Sequence, residues 1–549
     1  MKEKLLKILF VVMFVFCARA QGQTQNITGI VADQDGGPLM GASVIVKGTD
    51  HGVMSDLDGS YSIKANEGDI LVFSFIGFTT KEVKINRQTT INVTLEEALN
   101  QLDEVVIIGY GNVKKEDLTG SVTVLSQDEF NTGPSAGLEN LIQGRATGVQ
   151  ITSASSEPGG ELLVRIRGNN SVNSNNNPLY VVDGFPMESL SNSINPADIE
   201  SVSVLKDASA TAIYGTRGAN GVVIITTKRG KKGKSSISYS GNYSIQKADI
   251  TAYDFLNSVD FANIKNKIDI TNGIEPTYSS EAINRIEELG LSTNWMEEAF
   301  TTGSTSEHQL SVRGGNENTA MFFSAGAFLW DGVVKNTSFD RFTLRLNADQ
   351  NLLEGKMKVG INTSLSATES DFLGFSANSL QDNILRGLFR ANPIVPTSEA
   401  FEGLSTEDKA LLFNNTRPIS PLQTQEIMDN QGSNYYVLSN AFIETSIFKD
   451  LVYKIRGGAR VVNQKTRQFL PSYSTLVASS LEPGAARQSH LLYKYYTLEN
   501  ILTYNKVFDK HHINAVLGYT HEWGESEYLS AGAKDFTTDA LSFYSLQGG

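Results

Sequence analysis

The sequence predicts a mainly β protein exported from the cytoplasm, and three observations predict it. Lys2, Lys4 and Lys7 precede an apolar run, Ile8 to Ala18, which closes on Ala18-Arg19-Ala20, the small-x-small form that a signal peptidase cuts. From about Ser235 onward, long segments alternate apolar and polar residues with the period of two expected of half-buried strands. The chain carries 48 glycines with only 9% aromatic and 19% charged residues, which suits many turns between strands. No later stretch approaches the roughly 18 uninterrupted apolar residues of a membrane helix, so strands must make any crossing.

Composition excludes several functions. The only cysteine, Cys17, lies in the leader, and Phe14-Val15-Phe16 ahead of it lacks the small residues of a lipoprotein box. The mature chain therefore has no thiol, which rules out a disulfide framework, a thiolate metal site and a cysteine nucleophile. Cleavage after residue 20 also removes four basic residues and one acidic residue, taking the net charge from −14 to −17. Such acidity argues against a nucleic-acid partner.

The elements follow in order. Residues 1–20 are the signal peptide. Residues 26–96 read as a small β-sandwich, because alternating runs such as Ala42 to Lys47 and Ile70 to Phe75 are separated by turn signals at Asp35-Gly36-Gly37-Pro38 and Asp58-Gly59. Residues 97–111 hold an acidic-to-apolar segment, Asp103-Glu104-Val105-Val106-Ile107-Ile108, whose β-branched composition favours an extended strand. Residues 112–229 mix short strands (Val122 to Leu125, Val149 to Ile151, Leu163 to Gly168, Tyr180 to Val182, Val202 to Leu205, Val222 to Thr226) with short helices at Gly137 to Ile142 and Asp207 to Tyr214. Residues 235–549 carry the two-sided strands. In Phe342 to Asp349 one face is Phe, Leu, Leu, Ala and the other Thr, Arg, Asn, Asp, and Met357 to Leu365, Leu451 to Arg456 and Ile513 to Thr520 repeat the pattern. Alternation alone fits a soluble sandwich and a membrane barrel equally. The irregular stretches 251–303, 370–430 and 466–489 read as long loops or helical excursions.

Asn177-Pro178-Leu179-Tyr180-Val181-Val182-Asp183-Gly184 is followed by Asn195 to Ala208, with Lys206-Asp207, and then by Ile213-Tyr214-Gly215-Thr216-Arg217-Gly218-Ala219-Asn220-Gly221-Val222. In this order they resemble the plug domain of TonB-dependent outer-membrane transporters of the SusC/RagA family. The series Gly29-x-Val31, Pro38-Leu39-x-Gly41-Ala42, Gly48-Thr49 and Asp56-x-Asp58-Gly59-x-Tyr61 resembles the non-catalytic carboxypeptidase-regulatory-like domain at the front of such proteins. The resemblance selects the barrel for residues 235–549, with lipid outside and a polar lumen within. It implies an outer-membrane location with a periplasmic front domain, no enzymatic activity and no cofactor. It further implies a TonB box at Asp103, Glu104, Val105, Val106, Ile107 and Ile108, and a plug motif comprising Asp183, Gly184, Lys206, Asp207, Tyr214, Gly215, Arg217, Gly218 and Gly221. The implied partners are TonB, energised by ExbB and ExbD, a SusD-like surface lipoprotein and outer-membrane lipid. The implied function is import of an oligosaccharide or a peptide. The competing reading is a non-transporting surface adhesin, and a third is a transporter-derived sensor, which the front domain does not favour.

One departure stands out. The 316 residues after Gly233 supply roughly ten crossing strands, whereas barrels of this family have about 22. The chain ends Leu546-Gln547-Gly548-Gly549 instead of in a strand with a terminal aromatic, so an N-terminal portion of a longer protein is expected.

Other motifs carry no chemistry. His521-Glu522-Trp523-Gly524-Glu525 has a glutamate where a zinc-binding helix needs its second histidine. Gly215, Gly218 and Gly221 lack the spacing of a dinucleotide loop and precede a strand. Asp33-x-Asp35-Gly36 and Asp56-x-Asp58-Gly59 lack the remaining ligands of a calcium loop. Lys228-Arg229-Gly230-Lys231-Lys232-Gly233-Lys234 reads as a solvated hinge between plug and barrel.

Overall fold

The computed structural model describes residues 24–549 apart from 35, 48, 50, 76–77, 87, 97–104, 109–110, 115–120, 154–156, 161, 174, 191, 232, 374–383, 419, 423–426, 474–482 and 510. The signal peptide, Asp103 and Glu104 lie outside the described residues. The chain divides into two compact units, Met1–Val105 and Val106–Gly549.

The first unit is a two-sheet sandwich. Strands β1 (Thr24–Ala32), β4 (Ser60–Asn66) and β7 (Val93–Thr94) form one sheet in the order β4-β1-β7. Strands β2 (Ser43–Val46), β3 (Gly52–Met54), β5 (Ile70–Ser74) and β6 (Lys81–Lys84) form the other in the order β3-β2-β5-β6. Their alternation places Ile27, Val44, Ile63, Leu71 and Phe73 in one core with Leu95. Tyr61 meets Phe73 edge to face at 5.3 Å and donates its hydroxyl to Ile91 O at 2.7 Å, satisfying the one polar atom that its burial brings inside.

The second unit begins with a small hairpin of β8 (Val105–Ile108) and β9 (Gly111–Lys114). A plug domain follows. Its main sheet has the order β10-β15-β16-β13-β14, from β10 (Val122–Ser126), β13 (Leu179–Val182), β14 (Phe185–Met187), β15 (Ile199–Leu205) and β16 (Val222–Thr227). Strands β11 (Val149–Ser153) and β12 (Leu162–Ile166) pair separately, and helices α1 (Leu138–Ile142) and α2 (Ala208–Thr211) cover the sheet. The central strands are buried on both faces, so Leu179 to Val182 and Val222 to Ile225 read as continuous apolar runs.

Residues from Gly233 onward form an antiparallel meander of nine strands: β17 (Gly233–Lys247), β18 (Thr302–Gly315), β19 (Thr319–Asp331), β20 (Ser338–Leu352), β21 (Met357–Asp371), β22 (Asp429–Phe448), β23 (Leu451–Leu470), β24 (Ala485–Phe508) and β25 (His511–Lys534). Among the described residues nine strands form where about ten were expected from sequence, and they run to 13–24 residues each. Alternation sets the faces: Phe342 and Leu344 point outward at 52% and 47% exposure, while Thr343 and Arg345 point inward at 5% and 3%. The inner face stays polar although buried, because the plug covers it.

Short turns join the strands at one end and long connections at the other. At the loop end, helices α3 (Ser258–Thr271), α4 (Ser280–Leu289) and α5 (Trp295–Ala299) pack with α6 (Ile384–Phe389), α7 (Ser398–Gly403) and α8 (Thr406–Phe413) into a loop module. Arg285 of α4 forks onto Asp408 of α8 at 2.6 and 3.1 Å, and Trp295 Nε1 donates to Asn392 O at 3.1 Å. Arg285 holds the Asp408 carboxyl down at about 2. No helix among the described residues is long and apolar enough to cross a membrane.

Candidate functional site

The plug is joined to the strand wall by charged and polar side chains placed by its turns. Strands β13 and β14 form a two-residue hairpin with Val182 opposite Phe185. Both turn residues have positive φ, 48° at Asp183 and 86° at Gly184, the geometry that suits the right-handed twist of paired strands. That turn directs the Asp183 carboxylate at the wall. It accepts from Thr227 N at 3.1 Å, Thr227 Oγ1 at 2.7 Å and Arg345 Nη2 of β20 at 2.5 Å. The Asp183 and Arg345 side chains are each only 2% exposed. Arg229 reaches Asp183 and Asp349 at 3.8 Å each, and Lys358 reaches Asp349 at 3.0 Å. The expectation of a solvated hinge is thereby corrected at its start: Arg229 joins plug to wall by ion pairs, and only the segment after it is exposed at Lys231. Gly184 abuts β23, whose Arg456 donates to Asp183 O at 3.3 Å and pairs with Glu499 of β24.

Arg217 makes a second tie. It forks onto Glu522 of β25 at 2.7 and 2.8 Å, and Tyr495 donates to the same carboxylate at 2.5 Å. Asp198 makes a third with Gln309 of β18, which donates to it at 2.9 Å, while Asn195 donates to Gln309 at 2.7 Å and to Thr343 at 3.2 Å. Burial pushes the Asp198 carboxyl up, and its bond with Ser324 and the charges of Arg345, Lys228 and Arg341 offset this only in part.

The remaining motif residues act within the plug. Lys206 donates to Thr123 at 2.6 Å and Thr147 at 3.1 Å, and burial lowers its ammonium pKa. Asp207 accepts Ser121 N at 2.5 Å and pairs with Arg167, and these contacts, the backbone one first, hold its carboxyl low. Together Lys206 and Asp207 pin the start of β10. Tyr214 packs beside the Leu179 and Val222 cluster. Gly215 has φ 61° and ψ −146°, a region that a side chain would strain. A Cβ at Gly218 would meet Thr211 O at 2.9 Å, and one at Gly221, with φ 89°, would meet Ile166 at 2.7 Å. The motif is thus not gathered in one pocket: Asp183, Gly184 and Arg217 face the wall, and the other residues shape the plug itself. Of the expected box, Val105 to Ile108 form β8 and pair with β9, apart from the plug sheet.

Between plug and wall at the loop end lies a cavity of about 520 Å3. Tyr180, Glu157 and Asn192 line it from the plug, and Phe339, Asn434 and Tyr436 from the wall. Asn434 donates through Nδ2 to Thr368 at 3.1 Å, while its buried Oδ1 has no hydrogen-bond partner among the described residues. The cavity therefore offers aromatic faces, hydroxyls and amides to a polar organic molecule. No cluster of His, Cys, Asp and Glu able to hold a metal occurs among the described residues.

Residues 114–222 match the TonB-dependent Receptor Plug Domain family, and residues 27–107 match the CarboxypepD_reg-like domain family. The chain is 34% identical to the TonB-dependent receptor P3 of Formosa agariphila, over 100% of this chain and 53% of that protein. It is 34% identical to the TonB-dependent receptor SusC of Bacteroides thetaiotaomicron, over 77% of this chain and 43% of SusC.

The chain belongs to the SusC/RagA family.

It spans about half the length of the curated relatives it matches. The fold agrees: the RagAB peptide importer in its open-open state superposes with a TM-score of 0.65 at 23% identity, covering 80% of this chain and 51% of that one. Within this SusC/RagA chain, sequence reasoning missed the wall partners Arg345, Gln309, Arg456 and Asn434. Each sits on the polar face of an alternating strand, which identifies an inward direction but not a partner. Glu522 was visible only as part of a failed zinc motif.

Proposed function

We propose that this chain is part of a TonB-dependent importer of the outer membrane, with its short turns and front domain in the periplasm and its long connections outside. The observation carrying this reading is the polar and aromatic cavity between plug and wall at the loop end, lined by Tyr180 and Asn192 of the plug and by Asn434 and Tyr436 of the wall. A ligand entering from the loop end meets this cavity before the plug, which is fastened to the wall by Asp183–Arg345, Arg217–Glu522 and Asp198–Gln309. Import requires those ties to give way. Force applied through Asp103 to Ile108 supplies the work, with TonB adding a strand to this segment through main-chain hydrogen bonds that demand little of side chains. ExbB and ExbD energise TonB, and a SusD-like lipoprotein closes the loop end. The domains are then the signal peptide 1–20, front sandwich 26–96, box and linker 97–111, plug 112–229 and barrel wall 235–549. The substrate is an oligosaccharide or a peptide, and the chain has no enzymatic role.

The test is energised uptake by cells carrying the full-length receptor. Accumulation that collapses on loss of the proton gradient, and falls in Asn434→Ala, supports import. Ligand held at the surface with no gradient-dependent uptake would instead make the protein an adhesin.

A further inference from the structure

The outward face of the strand wall is interrupted by a groove that the import cycle described above does not use. Around it the outward positions are bulky: Leu310 on β18, Phe342 and Leu344 on β20 and Leu365 on β21 are all exposed. On β19 the outward positions between them are only Ala325, paired with Leu310 and Leu344, and Ala327, paired with His308 and Phe342. The two alanines floor a cavity of about 650 Å3 along the strand, with Tyr239 and His308 on one flank. Its walls gain dispersion contacts only when something fills it.

The polar flank has one hydrogen to spare. Tyr239 Oη lies 2.8 Å from His308 Nδ1, and Ser306 Oγ lies 3.1 Å from His308 Nε2. A neutral imidazole and two hydroxyls carry three polar hydrogens, and the two contacts spend two of them. In either tautomer the hydrogen of one hydroxyl, Tyr239 or Ser306, therefore has no acceptor among the described residues. Facing hydrocarbon, an unanswered O–H is costly. One row nearer the loop end, on the same outward face, Asp340 of β20 stands directly opposite Glu369 of β21. Like charges in that position repel, and a cation between them relieves it.

We infer that this groove is a specific site for a membrane lipid with an ammonium headgroup. An acyl chain lies along Ala325 and Ala327, its ester carbonyl accepts the spare hydroxyl hydrogen, and the ammonium reaches Asp340 and Glu369. Phosphatidylethanolamine supplies all three groups in one molecule. A lipid whose headgroup is only anionic fills the groove but sets a further negative charge beside two carboxylates. The site is on the opposite face of the wall from the plug, so a lipid held here does not obstruct the cavity of Asn434. The inference rests on the outer-membrane reading of the wall, and its test fails independently of import.

The full-length receptor, purified and delipidated in detergent, is titrated with dioleoyl phosphatidylethanolamine or dioleoyl phosphatidylglycerol, and retained lipid is read by native mass spectrometry. Phosphatidylethanolamine is expected to bind saturably, one molecule per chain, and at least about tenfold more tightly than phosphatidylglycerol. Ala325→Phe with Ala327→Phe fills the groove and should abolish that retention. Ile237→Phe adds the same kind of bulk at an exposed position outside the groove and should leave it intact. Tyr239→Phe with Ser306→Ala removes the spare hydrogen and should weaken both lipids, whereas Asp340→Asn with Glu369→Gln should erase the preference between them. The proposal is overturned if neither lipid is retained, if the two bind alike, or if the filled groove retains lipid as the wild type does. It is also overturned if filling the groove converts a dimeric receptor to a monomer, which would make this face the seat of a second copy. Gradient-driven uptake by a receptor that retains no lipid would overturn the groove and leave the import reading standing.

Discussion

Replacing Gly184 by valine strikes the plug and its wall together, and the two costs can be separated. The first is conformational. Gly184 sits at φ 86° beside Asp183 at φ 48°, and a β-branched residue forced into that region bears strain of order 1–3 kcal/mol. The second is steric: a Cβ at Gly184 would lie 1.7 Å from Arg456 Nη1, so the guanidinium must move. Moving it breaks its bond to Asp183 O and its pairing with Glu499, whose side chain is 4% exposed. Stripping a buried charge of its partner costs roughly 3–5 kcal/mol, and a shifted Arg456 that keeps part of the pairing would lose less. Gly184→Val should therefore destabilise plug seating by more than strain alone. In the Arg456→Ala, Glu499→Gln background only the strain should remain, about 1–3 kcal/mol. The assay is native-state proteolysis of the plug in the purified receptor, where cleavage follows the open population when opening and closing are fast. Strain alone corresponds to about a 5- to 150-fold rise in the cleavable fraction. Wild-type resistance in Gly184→Val would refute the turn geometry. An equal effect in both backgrounds would refute the contact with Arg456.

Three further outcomes follow from the same geometry. Val106→Pro removes a ladder donor and fixes φ in β8, so it should abolish energised uptake with assembly and ligand binding intact; uptake at the wild-type rate in a correctly assembled variant would place the TonB contact elsewhere. Arg217→Gln and Glu522→Gln should each loosen the plug slightly, with a coupling near 0.5–1 kcal/mol in a double-mutant cycle, because the Arg217 side chain is 43% exposed and solvent screens the pair; additive effects would show that the fork contributes nothing. Asp408 has its pKa depressed to about 2 by Arg285, so the contribution of this pair to the loop module is complete above the ordinary carboxylate range near 4 and is lost as pH falls through about 2. Protease protection of segment 404–416 across that window should show the loss in the wild type and not in Arg285→Ala.

The local order of the chain was legible in its residues. The two-sided strands followed from the alternation in Phe342 to Asp349 and the front sandwich from its spaced turn signals, since each depends on interactions within a few residues. Alternation also marked Arg345 and Asn347 as inward residues. It could not say that Arg345 meets Asp183, because that contact spans 162 positions and depends on strand register and on how deeply the plug seats. The roles of Lys206 and Asp207 were hidden for the same reason: their partners Thr123 and Ser121 lie more than eighty positions earlier, brought alongside by the pairing of β10 with β15. The run at Lys228 shows most plainly where sequence falls short. Charge alone assigned it to water, and only the packed plug, by setting Asp183 and Asp349 within reach of Arg229, turned its second residue into a tie between plug and wall.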